Sequence, residues 1–532
     1  MSNLSLNFIV GVLHNYIPLF FLLSLLLVFF LVFLNRKTLK DFFLKKKKKT
    51  WLILFFIFIS AFLVRIFISP HQHFLYIDEP WYMNAATNII EKGVQGDYYK
   101  SIGWPSILAV AFSLFGASNW VAIYVSVFIG ALTVFPMFFL TWLMTKSKNL
   151  AFTASFLLTL FPAHIRWSGA VETNLISLFF ILCSFFLCFL YYKKQDIYLL
   201  WLVLMFFSLT VQIRPENYFL PFFFVFGFLL FKKKKNHLLK IFNWKALIPW
   251  FMLFFLSFAN LIQVLNFQTS TNWANKESEL INGSNWCFNN LIFNSVHFGR
   301  FLFNGTIQPV LISIFLVIGL FFLFVKNKKL FLFLSSWFLF LYLVYFFSWP
   351  SLFRNLFKAS RMFVVFYPII AIFSAYGILK VSKFIKNKFN ISFGISKIFF
   401  IILFVLILFF IPYVLNSSKI ATSDYLQLET IVPEKAEDEI SEDYTIISAQ
   451  KLPLESTTNF NVIMLKNFLN DEKQREKIIK NNSVLFYEDM FCKVSFWGAK
   501  DYCAKIKDKY KLEKFKTYQF NNIEYVFYKI KM

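Results

Sequence analysis

The sequence predicts a polytopic α-helical membrane protein with about twelve spans, followed by a small α/β domain outside the membrane. Of the 532 residues, 58% are hydrophobic, and apolar runs recur between residues 16 and 415. A helix needs about 20 apolar residues to cross the hydrocarbon core, and only helices or closed barrels satisfy the backbone there. After about Asn416 the composition becomes polar and mixed in charge, which indicates a separate soluble domain.

The apolar runs divide into segments that alternate in direction across the membrane, with both termini outside. These spans are predicted at 16–34, 51–69, 119–145, 149–163, 172–192, 197–213, 217–231, 246–265, 307–325, 330–348, 362–380 and 398–415. Segment 105–116 is too short to cross and is predicted to lie as a helix at the outer interface.

Basic residues fix the sidedness. The net charge is +26, and much of it lies in short links between apolar runs, at 45–49, 232–235, 326–329 and 383–388. Lysine-rich links are typical of cytoplasmic loops, and they attract anionic membrane lipids. The charge therefore predicts membrane lipids as partners, and no nucleic-acid motif accompanies it.

The predicted topology divides the chain into three regions. Residues 1–50 form an N-terminal span with its basic cytoplasmic link, and residues 51–415 form the main transmembrane domain with an external loop at 70–118. Residues 416–532 form the external α/β domain. The chain is thus expected to be a multi-pass protein of the cell membrane.

Alternating patterns define elements of the external domain. Strands are predicted at 444–448 and 483–489, a helix at 471–482, and a β-hairpin from 514–520 and 523–530. Cys492 and Cys503 lie close together in this region. A disulfide between them is expected if the compartment is oxidising. No cysteine or histidine spacing resembles a zinc site.

Unusual ionisable residues gather on the predicted outer face. Asp78 and Glu79 are adjacent acids in the loop after the second span, where they are either acids at a helix start or members of an active site. The same face carries Lys100, Glu172, Arg214, His297, Arg300 and Arg361. Each has a structural alternative, as a snorkelling anchor, a helix-start acid or a loop residue. Their convergence on one face favours a functional site.

The order of these features resembles the GT-C superfamily of membrane glycosyltransferases, which includes protein O-mannosyltransferases and lipid A aminoarabinose transferases. The resemblance rests on the Asp78–Glu79 loop, on GWPSILAVAFSLFG at 103–116, on RWSGAVETNLISLFF around Glu172, and on SRMFVVFYPIIAIFSAYG at 360–377. Two features depart from the family. The N-terminal span is extra, and Lys100 is separated from Pro105, so a Lys-Pro-Pro-like motif is absent.

The resemblance implies an inverting transfer of sugar from a polyprenyl-phosphate donor, dolichyl or undecaprenyl, to a hydroxyl of a protein or glycolipid acceptor. It implies Asp78 as the general base, with Glu79 either orienting the acceptor or sharing the role of base. Arg361 is expected to bind the lipid phosphate, ahead of Arg214, Arg300 and Lys100.

Glu172 is expected to bind substrate hydroxyls or to help hold a divalent cation, and His297 to line the substrate site. No cofactor and no metal site is predicted. The alternative is a transporter or lipid flippase, which would place polar groups in the middle of broken spans and often contain repeats.

Overall fold

The protein is described here by a computed structural model. It describes residues 17–44, 47–68, 78–93, 101–231, 244–270, 309–348, 361–388, 435–441, 443–449, 458–481, 483–489, 499–520 and 523–531, with shorter stretches at 291–292, 294–296, 298, 302, 432–433, 454 and 492. The chain forms two compact units. The first comprises Met1–His71 and Ala85–Ser418, and the second comprises Gln72–Asn84 and Lys419–Met532.

The first unit is built of helices. They are α1 Ile17–Leu34, α2 Arg36–Leu44, α3 Lys48–Ile68, α4 Glu79–Lys92 (which begins in the second unit), α5 Gly103–Phe115, α6 Asn119–Leu132, α7 Val134–Thr145, α8 Lys148–Leu160, α9 Pro162–Ser168, α10 Thr173–Lys194, α11 Ile197–Ile213, α12 Leu220–Phe231, α13 Trp244–Ser270, α14 Val310–Lys326, α15 Lys328–Ser348 and α16 Tyr367–Lys388. Short 3-10 turns at Pro215–Phe219 and Val364–Phe366 precede α12 and α16.

Helices occupy the predicted spans throughout the described part of the chain, while span 398–415 lies outside the described residues. Within the described residues, five helical segments are long and apolar enough to cross a membrane. They are α3, α6 together with α7, α10, most of α15, and α16 with the residues from Arg361 that lead into it; the bent pair α1 and α2 makes a sixth if it is one span. The protein is therefore a helical membrane protein, and the count of twelve spans stays a prediction. Segment 105–116 is confirmed as a short helix, α5.

Span 119–145 is divided into α6 and α7 around Thr133. Pro136, the third residue of α7, has no backbone N–H to continue the hydrogen-bond ladder of α6. At this position the Thr133 hydroxyl donates to the carbonyl oxygen of Gly130 at 2.7 Å. The interruption is one residue long, and Asn119–Thr145 as a whole is long and apolar enough to cross a membrane.

Serine residues cap the first turns of two helices, α6 and α8. Ser118 and Ser147 accept hydrogen bonds from the backbone N–H groups of Val121 and Leu150 at 3.2 and 3.3 Å. Such N-caps satisfy donors that a helix end leaves open. These caps explain why α6 and α8 begin where the apolar pattern predicts.

The interior of the first unit lies around α10 and α16, whose side chains are largely buried. Helices α1 and α3 instead present Phe29 and Phe67 outwards. In a bilayer such outward apolar faces contact lipid tails. Gly319 on α14 and Gly377 on α16 let the two helices approach closely, because a Cβ at either position would collide with a carbonyl oxygen of the other helix.

The second unit contains a five-stranded sheet. Its strands are β1 Tyr444–Ser448, β2 Asn461–Met464, β3 Ser483–Glu488, β4 Lys511–Phe520 and β5 Ile523–Lys531, and its helices are α17 Leu465–Asn470, α18 Glu472–Asn481 and α19 Ala499–Lys509. The strand order is β2-β1-β3-β5-β4. Strands β2, β1 and β3 are parallel, and β5 is antiparallel to both β3 and β4.

Apolar clusters cover both faces of this sheet. Ile446, Leu485 and Phe527 pack on one face, and Ile447 and Phe486 pack on the other with residues of α17 and α19. The predicted α/β fold, the strands at 444–448 and 483–489, the helix at 471–482 and the hairpin are confirmed, although β2, α17 and α19 were not predicted. The expected disulfide is also present, with 5.4 Å between the Cα atoms of Cys492 and Cys503.

Candidate functional site

The residues predicted for the site fall into three groups. Glu172, Arg214 and Arg361 lie in the first unit, while Asp78 and Glu79 lie in the second. The remaining predicted residues, Lys100, His297 and Arg300, lie outside the described residues.

Glu172 and Arg361 form a buried ion pair. Arg361 Nη1 lies 3.4 Å from Glu172 Oε1, and the side chains are 6% and 2% exposed. Glu172 occupies the N-cap position of α10, yet its side chain makes no capping hydrogen bond. The pair joins the start of α10 to the segment that leads into α16. The burial of Arg361 argues against a role as a surface anchor. The missing capping hydrogen bond argues against a simple helix cap at Glu172.

Arg214 lies at the end of α11 and makes a tighter set of contacts. Its Nη2 and Nε donate to the two carboxylate oxygens of Glu216 at 2.6 and 3.3 Å. Its Nη1 donates to Asn174 Oδ1, and its Nη2 lies 4.0 Å from the sulfur of Met362. Because Asn174 follows Glu172 by two residues and Met362 follows Arg361, both arginines belong to one buried cluster.

The charges of this cluster act on one another. Burial alone would raise the pKa of Glu216, but the neighbouring Arg214, with Arg361 further away, outweighs burial and lowers that pKa. The hydroxyl of Tyr345, near the end of α15, is close enough to Arg214, Glu216 and Arg361 to interact electrostatically with their charges. The cluster thus collects two guanidiniums, two carboxylates and a phenol from four parts of the chain.

This arrangement can hold an anionic oxygen. A guanidinium presents five N–H donors in a planar fork that matches phosphate and carboxylate oxygens. Arg214 forms a bidentate contact with Glu216, whereas the contact between Arg361 and Glu172 is long for a charged pair. A competing anion would therefore displace the Glu172 contact of Arg361 more readily than the Glu216 contact of Arg214.

The two acids of the second unit stand at the start of α4. Glu79 is the first residue of the helix and is 1% exposed, while Asp78 immediately precedes it and is half-buried. The backbone carbonyl of Asp78 accepts from the N–H of Tyr82 at 3.2 Å. A helix N-terminus stabilises carboxylates, so ionised side chains suit this position.

The cluster contains residues that the sequence did not single out. Asn174, Glu216, Tyr345 and Met362 were not among the predicted site residues. Asn174 could have been identified from the sequence, since it is a polar residue two positions after Glu172 in an apolar span. Tyr345 could not, because 23 tyrosines are spread along the chain and nothing distinguishes this one. Among the described residues, no three of His, Cys, Asp and Glu come together as metal ligands.

Comparisons with known proteins give matches in structure only. No protein-family model matches the sequence, and no curated protein matches it. The oligosaccharyltransferase AglB from Archaeoglobus fulgidus, in complex with an inhibitory peptide and a dolichol-phosphate, matches with a TM-score of 0.52 and 14% identity. That match covers 90% of this chain and 74% of AglB.

ArnT from Cupriavidus metallidurans matches over nearly its full length. The structure bound to undecaprenyl phosphate gives a TM-score of 0.58 at 9% identity, covering 91% of this chain and 98% of ArnT. The apo structure of ArnT gives 0.59 at 10% identity with the same coverage. At such low identities these matches establish the fold.

Proposed function

We propose that this chain, which has the fold of the GT-C superfamily of membrane glycosyltransferases, transfers a sugar from a polyprenyl-phosphate donor to an acceptor hydroxyl. The observation that carries the proposal is the cluster of buried Arg361, Glu172 and Arg214 with half-buried Glu216 within that fold. Buried charges at the ends of membrane helices are costly and usually serve a function.

The donor class follows from the chemistry of the cluster. A sugar linked to a lipid phosphate leaves behind a phosphate that gains negative charge as the bond breaks, and positioned cations lower that barrier. Arg361 is assigned to this phosphate, because its contact with Glu172 is the weaker of the two ion pairs. The AglB structure contains dolichol-phosphate and one ArnT structure contains undecaprenyl phosphate, which supports a lipid-phosphate donor.

Asp78 is proposed as the general base. Its carboxylate takes the proton of the acceptor hydroxyl while the acceptor oxygen forms a bond to the anomeric carbon of the sugar. The bond from that carbon to the phosphate oxygen breaks, and its electron pair leaves with the lipid phosphate. Attack opposite the leaving group inverts the anomeric configuration.

Glu79 and Glu172 have supporting roles in this proposal. Glu79 assists Asp78 in orienting the acceptor, and Glu172 holds Arg361 until the donor arrives and then binds sugar or acceptor hydroxyls. The acceptor is a protein or a glycolipid at the outer face of the cell membrane. The AglB structure is in complex with an inhibitory peptide, which supports a protein as one of these two classes.

The test uses purified full-length protein in lipid vesicles, with a panel of radiolabelled polyprenyl-phosphate sugars and a crude membrane extract as acceptor. Release of free polyprenyl phosphate together with labelled acceptor supports the transferase. Movement of an intact donor between leaflets without release would support the flippase alternative. Absence of both with every donor would contradict the proposal.

A further inference from the structure

A second buried polar cluster lies in the first unit, separate from the Glu172–Arg361 pair. Arg65, in the last turn of α3, is fully buried within the bundle. Its guanidinium donates from Nε to Ser168 Oγ at 2.9 Å, from Nη1 to the carbonyl of Ala61 at 2.8 Å, and from Nη2 to His164 Nδ1 at 2.6 Å. His164 and Ser168 are also fully buried, and both belong to α9.

Hydrogen-bond directions in this cluster are fixed by chemistry. A guanidinium only donates, so His164 Nδ1 accepts and its Nε2 carries the proton. That Nε2 faces Oγ1 of Thr133, the residue between α6 and α7, at 3.5 Å, and the threonine hydroxyl donates onward to the carbonyl of Gly130 in α6. Ser168 accepts from Arg65 and donates to the carbonyl of His164 at 2.6 Å. Each of the three guanidinium nitrogens of Arg65 therefore has an acceptor.

No carboxylate pairs with Arg65 in the part of the chain that the structure describes. A guanidinium buried among neutral partners loses hydration without the compensation of an opposite charge. Arginines inside membrane proteins are rare and usually have a specific function. Two of its three acceptors, Ser168 and His164, lie on α9, while the third is the Ala61 carbonyl of its own helix. The guanidinium therefore links α3 to α9 through hydrogen bonds and not through a charge pair.

The segment between α9 and Glu172 is itself held by hydrogen bonds, so the position of α9 affects the position of Glu172. The N–H groups of Gly169 and Ala170 donate to the carbonyls of Arg166 and Trp167 at 3.1 and 3.4 Å. Ser126 Oγ of α6 donates to the carbonyl of Ala170 at 2.7 Å. The residues between Ser168 and Glu172 are buried. The path from Arg65 to Glu172 is therefore short, packed and hydrogen-bonded.

Close packing of α6 on α9 adds to this restraint. A Cβ at Gly130 would lie 2.5 Å from Ser168 Oγ and 2.8 Å from a methyl carbon of Leu175. Only glycine allows α6 to come this near to both α9 and α10. Hydrogen bonds thus hold α9 and the residues that follow it from two sides. Arg65 of α3 contacts Ser168 and His164, and on the side of α6 Thr133 contacts His164 and Ser126 contacts Ala170.

We propose that Arg65 is a positioning residue that fixes Glu172 opposite Arg361. It acts through His164 and Ser168 and does not contact the substrate. The contribution to sugar transfer rests on the proposed function, whereas the effect on the Glu172–Arg361 pair is independent of any activity.

The test measures how strongly Glu172 and Arg361 are coupled when Arg65 loses its contacts. Glu172→Gln, Arg361→Gln and the double variant are made in full-length protein, and the melting temperature of each is measured in detergent micelles. Non-additivity of the two single changes reports the coupling of the pair. The set is then repeated with Arg65→Lys, which keeps the charge but loses the fork, and with Ser168→Ala.

We expect the non-additivity of the Glu172→Gln and Arg361→Gln effects on melting temperature to fall by at least half when Arg65→Lys or Ser168→Ala is present. Ser184→Ala serves as the matched control, because it removes a buried hydroxyl contact with Thr210 at 3.1 Å from α10, the helix that begins directly after Glu172. This control is expected to leave the non-additivity unchanged. An unchanged coupling with Arg65→Lys and Ser168→Ala, or an equal fall with Ser184→Ala, would overturn the proposal.

A second measurement separates this inference from the proposed function. If labelled donor is turned over, Ser168→Ala is expected to lower two quantities together. One is the transfer rate at saturating donor, and the other is the non-additivity of the Glu172 and Arg361 variants. If no donor is ever turned over but the coupling still falls, Arg65 positions Glu172 and the transferase assignment is wrong. If donor is turned over and the coupling does not change, the transferase stands and the positioning role is wrong.

Discussion

Arg361 Nη1 and Glu172 Oε1 lie 3.4 Å apart in the interior of the first unit, joining residues that are 189 positions apart in the sequence. An ion pair this deeply buried costs much of its attraction in lost hydration. Its geometry is looser than that of Arg214 with Glu216, where the shortest contact is 2.6 Å. The two pairs are therefore expected to have different roles, and this difference can be measured.

Arg361→Lys is expected to weaken binding of polyprenyl phosphate at least tenfold. Lysine keeps the charge but cannot offer the planar fork, and a charge-assisted hydrogen bond contributes about 1.5–3 kcal/mol. Affinity is measured by displacement of a labelled polyprenyl phosphate from protein in nanodiscs.

Arg214→Lys is the matched control for that experiment. Because Arg214 already bonds Glu216 and Asn174, we expect this variant to lose thermal stability while its affinity changes less than that of Arg361→Lys. A larger loss of affinity in Arg214→Lys would assign the phosphate to Arg214 instead.

Glu216 predicts a pH dependence of stability. Arg214 and its neighbours lower the pKa of Glu216 below the ordinary value of about 4.3, despite burial. A lowered pKa means that the folded state binds this proton less readily than the unfolded state. Glu216 therefore contributes stability above about pH 4.3, and the contribution is lost as the pH falls through the lowered pKa.

The measurement compares melting temperatures of the wild type and Glu216→Gln between pH 6 and the lowest pH at which both remain folded. We expect the wild type to be the more stable at pH 6 and the difference to shrink in acid. A difference that is constant with pH would show that ionisation of Glu216 does not stabilise the fold.

Reduction of the Cys492–Cys503 disulfide is expected to destabilise the second unit by roughly 3 kcal/mol, as loop-closure entropy predicts for a separation of 11 residues. Hydrogen exchange of β3 and α19 with and without reductant measures the change. Cys183→Ser with Cys188→Ser is the control, since both are free cysteines of α10 and their loss should leave the effect of the reductant intact. Equal exchange in both redox states would contradict the prediction.

Gly377→Ala is expected to destabilise the first unit by about 1–3 kcal/mol, because its Cβ would collide with the carbonyl oxygen of Phe315 where α16 crosses α14. Thermal unfolding in micelles measures the loss. Val317→Leu adds a methylene group on the exposed side of α14, where Val317 is 54% exposed, and should cost little. Equal stability of the two variants would show that the crossing can relax.

Local patterns in the sequence predicted most helices and the larger strands, because span length and alternation are properties of short segments. Strand β2 escaped prediction because it has four residues. Helix α19 escaped because few of its described side chains are buried, with Cys503 and Ile506 the most deeply buried of them. So small an apolar face gives too weak a helical period to detect.

The site was predictable only in part, for a different physical reason. Glu172, Arg214 and Arg361 were identified because charges at span ends are rare, yet which of them pair depends on tertiary packing. Arg65 is a lone charge in an apolar run, which is a detectable signal. Its partners on α9 follow from the way the helices pack, and no local pattern carries that information.

The proposed role of Asp78 is tested most directly by release of free polyprenyl phosphate from a labelled donor. The measurement compares the wild type with Asp78→Asn, a variant of nearly the same shape, and with Glu79→Gln at the next position. We expect Asp78→Asn to lower the release rate by at least about 100-fold, since a general base contributes roughly 10²–10⁴, with the melting temperature and donor affinity largely retained. Equal release by wild type and a folded Asp78→Asn variant would contradict the assignment of Asp78 as the base.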